Sequence, residues 1–270
     1  MTVPPRPLLV IDAGHTRIKF ALCNLTDESS LPHVQHILAP MVDSPFPWDQ
    51  IEAWCADLPT EPATLLTGSN PVAIEQVRSD WPETCGPIHI LQDRSQLPIS
   101  VALEQPERVG IDRLLTAIAA NRLRAPGQTS IIVDSGTAIT IDALTSDGAF
   151  CGGAILPGVR MGSQALHRYT ATLPEIDAST LLTTTPDPLG RNTTSAIESG
   201  LYWGHIGAVR ELILRQRDRV ASFDKAKDKP SLLLFTGGAS QMLEPHFSHA
   251  RFEPFLALQG LALVAAQLNG

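Results

Sequence analysis

The sequence predicts an α/β protein made of two related domains, and three observations carry that expectation. First, Leu8 to Leu22 (LLVIDAGHTRIKFAL) and Ile131 to Leu144 (IIVDSGTAITIDAL) share one pattern. Each runs from an apolar stretch through a D-x-G turn into a second β-prone stretch, as a strand, tight turn and returning strand do. With Asp12 laid on Asp134, Gly14 falls on Gly136 and Ala21-Leu22 on Ala143-Leu144. Second, Thr64 to Ser69 (TLLTGS) and Leu232 to Ala239 (LLLFTGGA) both place Thr-Gly at the end of a strand-like run. Third, helix-permissive stretches separate these landmarks, and strands alternating with helices form α/β layers. Two correspondences in the same order point to a duplication, with domains expected at 1–118 and 119–270.

Taken in order, Met1 to Asp12 carries only the short apolar run Leu8 to Ile11 and no small-residue cleavage site. No signal peptide is expected there, and the protein is expected in the cytoplasm. Asp27 to Asp49, rich in Pro, Ser and His without a clear period, predicts an irregular surface excursion. Gly110 to Leu123 predicts a helix with Ile111, Leu114, Leu115 and Ile118 on one face. Thr183 to Gly190 reads as a loop, and Asn192 to Arg219 as a long helix. Phe255 to Leu268, broken by Gln259 and Gln267, falls short of the ~18 residues of a membrane span and reads as a core-packed helix.

Composition narrows the possible functions. With 270 residues, 43% of them hydrophobic and 18% charged, the chain has material for a real core and is not disordered. Its 20 Lys+Arg against 28 Asp+Glu leave a net charge of −8 and no basic run, which argues against nucleic-acid binding. Any anionic ligand must therefore be held locally. Cys23, Cys55, Cys85 and Cys151 show no metal-ligand spacing and are expected as buried, reduced thiols. The histidines form no H-x-x-x-H cluster, and His33, His36, His246 and His249 are expected to be solvated.

Neither GxxxxGK[ST] nor a strand-linked GxGxxG occurs. The two D-x-G turns, followed by Thr16 and Thr137, offer a different phosphate cradle. Glycine admits close approach, turn amides and the hydroxyl donate, and the aspartate holds a cation or its water. A tight hairpin using Asp and Gly only for turn geometry is the alternative at each. Their duplication favours the cradle. Thr236-Gly237-Gly238 suits either a flat approach to adenine or ribose or an ordinary strand-to-helix turn. Lys19 could reach phosphate or simply lie on the surface. Asp112, at a helix start beside Arg113, either complements the helix dipole or accepts a substrate hydroxyl proton while Arg113 binds an anionic group.

Together the motifs resemble type III pantothenate kinases, of the superfamily that holds acetate and sugar kinases and actin. They are Asp12-Ala-Gly-His-Thr-Arg-Ile-Lys19, Gly110-Ile-Asp-Arg113, Asp134-Ser-Gly-Thr-Ala-Ile-Thr-Ile-Asp142, Gly152 to Gly158, Thr170 to Pro174, Gly190-Arg-Asn-Thr193 with Ser199-Gly200, and Thr236-Gly-Gly238. The resemblance implies two duplicated actin-like (ribonuclease H-like) domains with ATP in the cleft between them. It implies an ATP-dependent phosphotransferase that converts pantothenate to 4'-phosphopantothenate, the first step of coenzyme A biosynthesis. Asp12, Ala13, Gly14, His15, Thr16, Arg17, Ile18 and Lys19 would hold ATP phosphates, joined by Gly136 and Thr137, with Gly237 and Gly238 against the nucleotide. Asp112 would be the general base. Gly110, Ile111, Asp112, Arg113 and Thr193 would bind pantothenate. Asp134 would bind the monovalent cation, potassium or ammonium, that the family requires beside magnesium. Members are typically homodimers.

Two positions depart from the family pattern. His15 stands where Asn is usual, replacing an amide with a titratable ring, so nucleotide binding is expected to persist but to depend on pH near neutrality. Leu103 stands near a usual Tyr, which bears on one substrate contact. A catalytically weak regulatory homologue resembling the Bvg accessory factors is the alternative reading. A superfamily kinase for another hydroxyl compound is disfavoured by GxDR with the later GxNT.

Overall fold

The computed structural model describes residues 7–27, 29–224 and 229–268. Most of Met1 to Leu8, one residue of the Asp27 to Asp49 segment and the two last residues of the expected second domain lie outside them.

Two five-stranded sheets form the framework. The first contains β1 (Leu8–Ala13), β2 (Ile18–Asn24), β3 (His33–Leu38), β4 (Ala63–Gly68) and β5 (Ile88–Ile90), in the order β3-β2-β1-β4-β5. The second contains β6 (Ser130–Ser135), β7 (Ala138–Leu144), β8 (Phe150–Pro157), β9 (Leu232–Thr236) and β10 (Arg251–Phe252), in the order β10-β9-β6-β7-β8. In both, the first three strands pair antiparallel and the fourth and fifth run parallel to the first. That shared order is the ribonuclease H-like arrangement, and its repetition makes the chain a duplicated, actin-like α/β protein. The helices are α1 (Trp48–Ala56), α2 (Pro71–Ser79), α3 (Ile111–Leu123), α4 (Val159–Arg168), α5 (Thr193–Phe223), α6 (Ser240–Leu243) and α7 (Leu256–Leu268). Among the described residues, no helix is long and apolar enough to cross a membrane.

β1 and β6 are central strands, and their apolar runs are buried on both faces, as parallel-paired strands require. In the first sheet Leu9, Ile11, Ile18, Phe20 and Leu66 form a core with Ile51, Ala73 and Val77. An edge-to-face group of Phe20, Phe46, Trp48 and Trp81 extends it. In the second sheet Ile131, Val133, Ile139, Ile141 and Phe235 pack with α5 residues Tyr202, Ile206, Val209 and Ile213.

The chain separates into two compact units, 1–100 with 104–123 and 255–270, and 101–103 with 124–254. They differ from the expected single cut after residue 118. α7 returns to the first unit because its apolar surface packs on α3 and β1. Contact with α3 is so close that a Cβ on Gly260 would stand 2.0 Å from the Leu115 carbonyl oxygen.

Three further expectations change. The Asp27 to Asp49 segment is not irregular throughout: it supplies edge strand β3, which is polar and mostly exposed and so lacks a clear apolar period. His33 and His36 lie on that strand, with His36 stacked on Trp54. The ungapped match of the two hairpins also slips by one residue. Val10 faces Ala21, whereas its counterpart Ile132 faces Asp142, because the first turn is longer (residues 14–17 against 136–138). Of the four cysteines, all free, only Cys23 and Cys85 are buried, and Cys55 and Cys151 are half-buried.

Candidate active site

The first hairpin turn is held from two sides. Within it the Gly14 N–H donates to the Arg17 carbonyl at 3.1 Å. From beyond β3, the Pro40 carbonyl accepts from the Ile18 N–H and the Val42 N–H donates to the Thr16 carbonyl, each at 3.1 Å. Arg17 Nη1 donates to the Ala39 carbonyl at 2.7 Å, so this guanidinium secures the brace. From the end of β4, Asn70 donates its N–H to the Ala13 carbonyl at 3.1 Å and Nδ2 to the Gly14 carbonyl at 3.4 Å. Asn70 Oδ1 also accepts from the Ala73 N–H, capping α2 with Pro71 following. Asn70 and the 39–42 brace were missed by sequence reasoning. The Asn-Pro step before an apolar period was the available signal for Asn70.

At the end of β1, Asp12 pairs across the hairpin with Lys19, whose Nζ lies 3.5 Å from Oδ2. Burial pushes the Asp12 carboxyl above its usual value, Lys19 pulls it down, and the charge of Asp112 pushes it up again. The two aspartates are thus electrostatic neighbours. Asp112 sits in the first turn of α3, where Oδ1 accepts from the Arg113 N–H at 2.9 Å. Gly110 makes room for it: a Cβ there would stand 2.5 Å from Asp112 Oδ1. The structure therefore brings Asp12 to Lys19 and Gly110 to Arg113 into one unit.

The second unit gathers Asp134, Gly136, Thr137, Gly237 and Gly238. Asp134, next to last in β6, stands beside Thr236 of β9, as Asp12 stands beside Thr67 of β4, so the Thr-Gly correspondence is structural. Gly237 has φ +90, and a Cβ on it would lie 2.4 Å from Asp134 Oδ1 and 2.6 Å from the Ser135 carbonyl carbon. Only glycine lets that backbone pass beside the carboxylate. Gly136 donates its N–H to the Ala138 carbonyl at 3.0 Å, and Gly136 and Thr137 stand exposed at the turn. Gly238 is also exposed, and a Cβ on it would meet open space. Leu103 leans on Gly152, 3.3 Å from the site of its absent Cβ.

Thr193 lines a cavity of about 1050 Å³ that none of those five residues lines. Its walls come from α4, residues 169–173, residues 190–193 and the start of α5, with Leu166, Tyr169, Leu173 and Ile197 giving an apolar surface. Asn192 and Ser195 close a reciprocal capping box at the head of α5, which fixes Thr193 as its first helical residue. Among the described residues, no group of three or more His, Cys, Asp or Glu is placed to hold a metal ion.

Paired hairpin carboxylates and paired Thr-Gly strand ends on repeated ribonuclease H-like sheets place the chain in the actin-like fold class. The fold likeness extends to a solved Campylobacter jejuni protein described as a Baf family transcriptional activator, with a TM-score of 0.59 over 97% of this chain and 99% of that one. At 17% identity, that likeness concerns the fold alone.

A sequence model of type III pantothenate kinases matches residues 8–215, and the chain belongs to that family. The type III pantothenate kinase of Gluconobacter oxydans is 34% identical over 277 residues, covering 97% of this chain and 94% of that relative. Those of Cereibacter sphaeroides strain ATCC 17029 and Legionella pneumophila strain Corby are 35% and 37% identical over 67% of this chain. The match spans 65% and 66% of those two relatives.

Proposed function

We propose that this protein transfers the terminal phosphoryl group of ATP to pantothenate, giving 4'-phosphopantothenate. One observation carries the reading within the family: a carboxylate, Asp112, stands at a helix start electrostatically coupled to the Asp12–Lys19 pair, with Gly110 opening space before it. ATP supplies the activated phosphoryl group, and magnesium would supply charge neutralisation on its oxygens. Asp112 accepts the proton of the substrate's primary hydroxyl, and Arg113 holds its carboxylate. Gly14 spends its own N–H closing the first turn, so phosphate donation falls to residues 15–16 and to Lys19. Gly136 and Thr137 would offer a second phosphate turn, and Gly237 and Gly238 would pass beside a nucleotide.

The residues fit such a ligand at Gly237, where a Cβ would collide with Asp134. Asp134 would hold potassium or ammonium, and Asp12 a divalent ion or its water. With no three-ligand protein cluster among the described residues, the ions would complete their shells from phosphate and water. Thr193 and its apolar cavity would accept the dimethyl-bearing body of pantothenate. A homodimer in the cytoplasm accords with exposed Ile155, Met161, Tyr169, Leu189 and Leu214 on the second unit. Retention of Asp12, Asp112, Asp134 and Thr137 supports an enzyme over a regulatory homologue. An ATP-consumption assay with pantothenate, run with and without potassium, tests the proposal. Turnover that requires both supports it, and a folded, silent protein overturns it.

A further inference from the structure

His205 lies on α5 beyond Ser199-Gly200 and belongs to none of the motifs that suggested function. Its ring bridges two backbone carbonyls, with Nδ1 2.5 Å from the Leu201 oxygen one turn earlier and Nε2 3.0 Å from the Pro157 oxygen at the end of β8. Neither carbonyl brings a proton, so each contact is a hydrogen bond only where the facing ring nitrogen carries the proton, and a neutral imidazole carries one such proton. Pro157 leads directly into Gly158, and Gly158 is the floor of the second phosphate turn. Its N–H donates to the Thr137 carbonyl at 3.1 Å, and a Cβ on it would stand 2.4 Å from the Thr137 oxygen and 2.7 Å from the Gly136 oxygen. The Gly158 carbonyl in turn accepts the Gly162 N–H at 2.8 Å, opening α4. A Cβ on Gly162 would lie 3.8 Å from His205 Cε1 and 2.8 Å from Leu201 Cδ2, and both Gly162 and Leu201 line the Thr193 cavity. One imidazole thus touches the corner that carries the Gly136–Thr137 turn and the helix turn that walls the cavity.

We infer that His205 is a positioning residue for the Gly136–Thr137 turn: by donating Nε2–H to the Pro157 carbonyl it sets the corner from which Gly158 holds Thr137. The inference rests on the reading of that turn as a phosphate holder. In the first unit the equivalent brace, residues 39–42, is secured by Arg17 from within the turn. In the second, the securing donor comes from a helix.

Three full-length variants test this by calorimetric binding of ATP, without turnover. His205→Phe keeps an aromatic ring and removes the Nε2–H donor, and His205→Gln keeps an amide donor. The inference predicts at least fivefold weaker ATP binding for His205→Phe, binding within twofold of the parent for His205→Gln, and faster hydrogen exchange at the Gly158 amide in the first only. Equal ATP affinity in His205→Phe and parent, or equal loss in Phe and Gln variants, overturns it. If His205→Phe does not fold, His205→Leu replaces it, and failure of both to fold marks a structural role and also overturns it. Thr137→Val separates the layers. If that variant binds ATP normally, the phosphate-turn reading fails, whereas a weakened Thr137→Val beside an unaffected His205→Phe removes only the role of His205.

Discussion

The hairpins β1–β2 and β6–β7 share topology, a D-x-G turn and a Thr-Gly neighbour, yet they are finished differently. In the first, Asp12 faces Lys19 across the ladder and feels Asp112 on α3. In the second, the position facing Asp134 is Thr140, and the carboxylate lies over Gly237. The longer first turn causes this change of partner, since a one-residue slip in register exchanges every cross-strand neighbour. The repeated hairpins thus differ in their surroundings: one carboxylate faces a lysine and a second aspartate, the other a threonine and a glycine.

That contrast can be broken by substitution. The largest effect is expected at Asp112, the proposed base, which neighbours the first turn. Asp112→Asn should lower turnover by about 100- to 10,000-fold while ATP binding and melting temperature stay near the parent's. Near-native turnover would remove its role. Next come the paired glycines. Gly68→Ala and Gly237→Ala should both destabilise, by about 1–3 kcal/mol in denaturant titrations. The first should cost somewhat more, because its Cβ would meet only the Ala13 backbone, at 2.2 Å, whereas the nearest atom to a Gly237 Cβ is the Asp134 side-chain oxygen at 2.4 Å, with the Ser135 backbone at 2.6 Å. Equal, negligible costs would deny that the two strand ends are equivalent.

A smaller effect separates the units by pH. Burial raises the proton affinity of Asp12 in the folded state, so stability falls as pH rises from its unfolded value through its folded one, and the ionised group is a standing cost above that. Asp12→Asn should therefore raise the melting temperature at pH 7 by roughly 2 °C while impairing phosphoryl transfer. In the second unit the sign reverses. Burial and then Arg210 lower the proton affinity of His246, whose Nε2 lies 2.9 Å from the Tyr202 hydroxyl. Stability should fall there as pH drops below about 6.5, and His246→Gln should flatten that slope in thermal melts between pH 5 and 7.

How much of this was legible follows from which contacts are local. Asp12, Asp134 and the Thr-Gly ends could be read because apolar runs bound them and the turn residues announce themselves. β3 could not, since HVQHIL is a solvated edge strand whose role is backbone pairing and the brace behind Thr16. The return of α7 to the first unit rests on packing against α3, more than a hundred residues away in sequence, which periodicity does not encode. His205 was invisible for the same reason. Its partner Pro157 is 48 residues distant, and His205 itself belongs to none of the motifs.

The most direct measurement is phosphorus NMR of the products formed from ATP, magnesium, potassium and pantothenate. The account predicts a new phosphomonoester on the primary hydroxyl of pantothenate, appearing in step with ADP and absent with Asp112→Asn. ADP without that ester, or an ester formed equally well by Asp112→Asn, would contradict it.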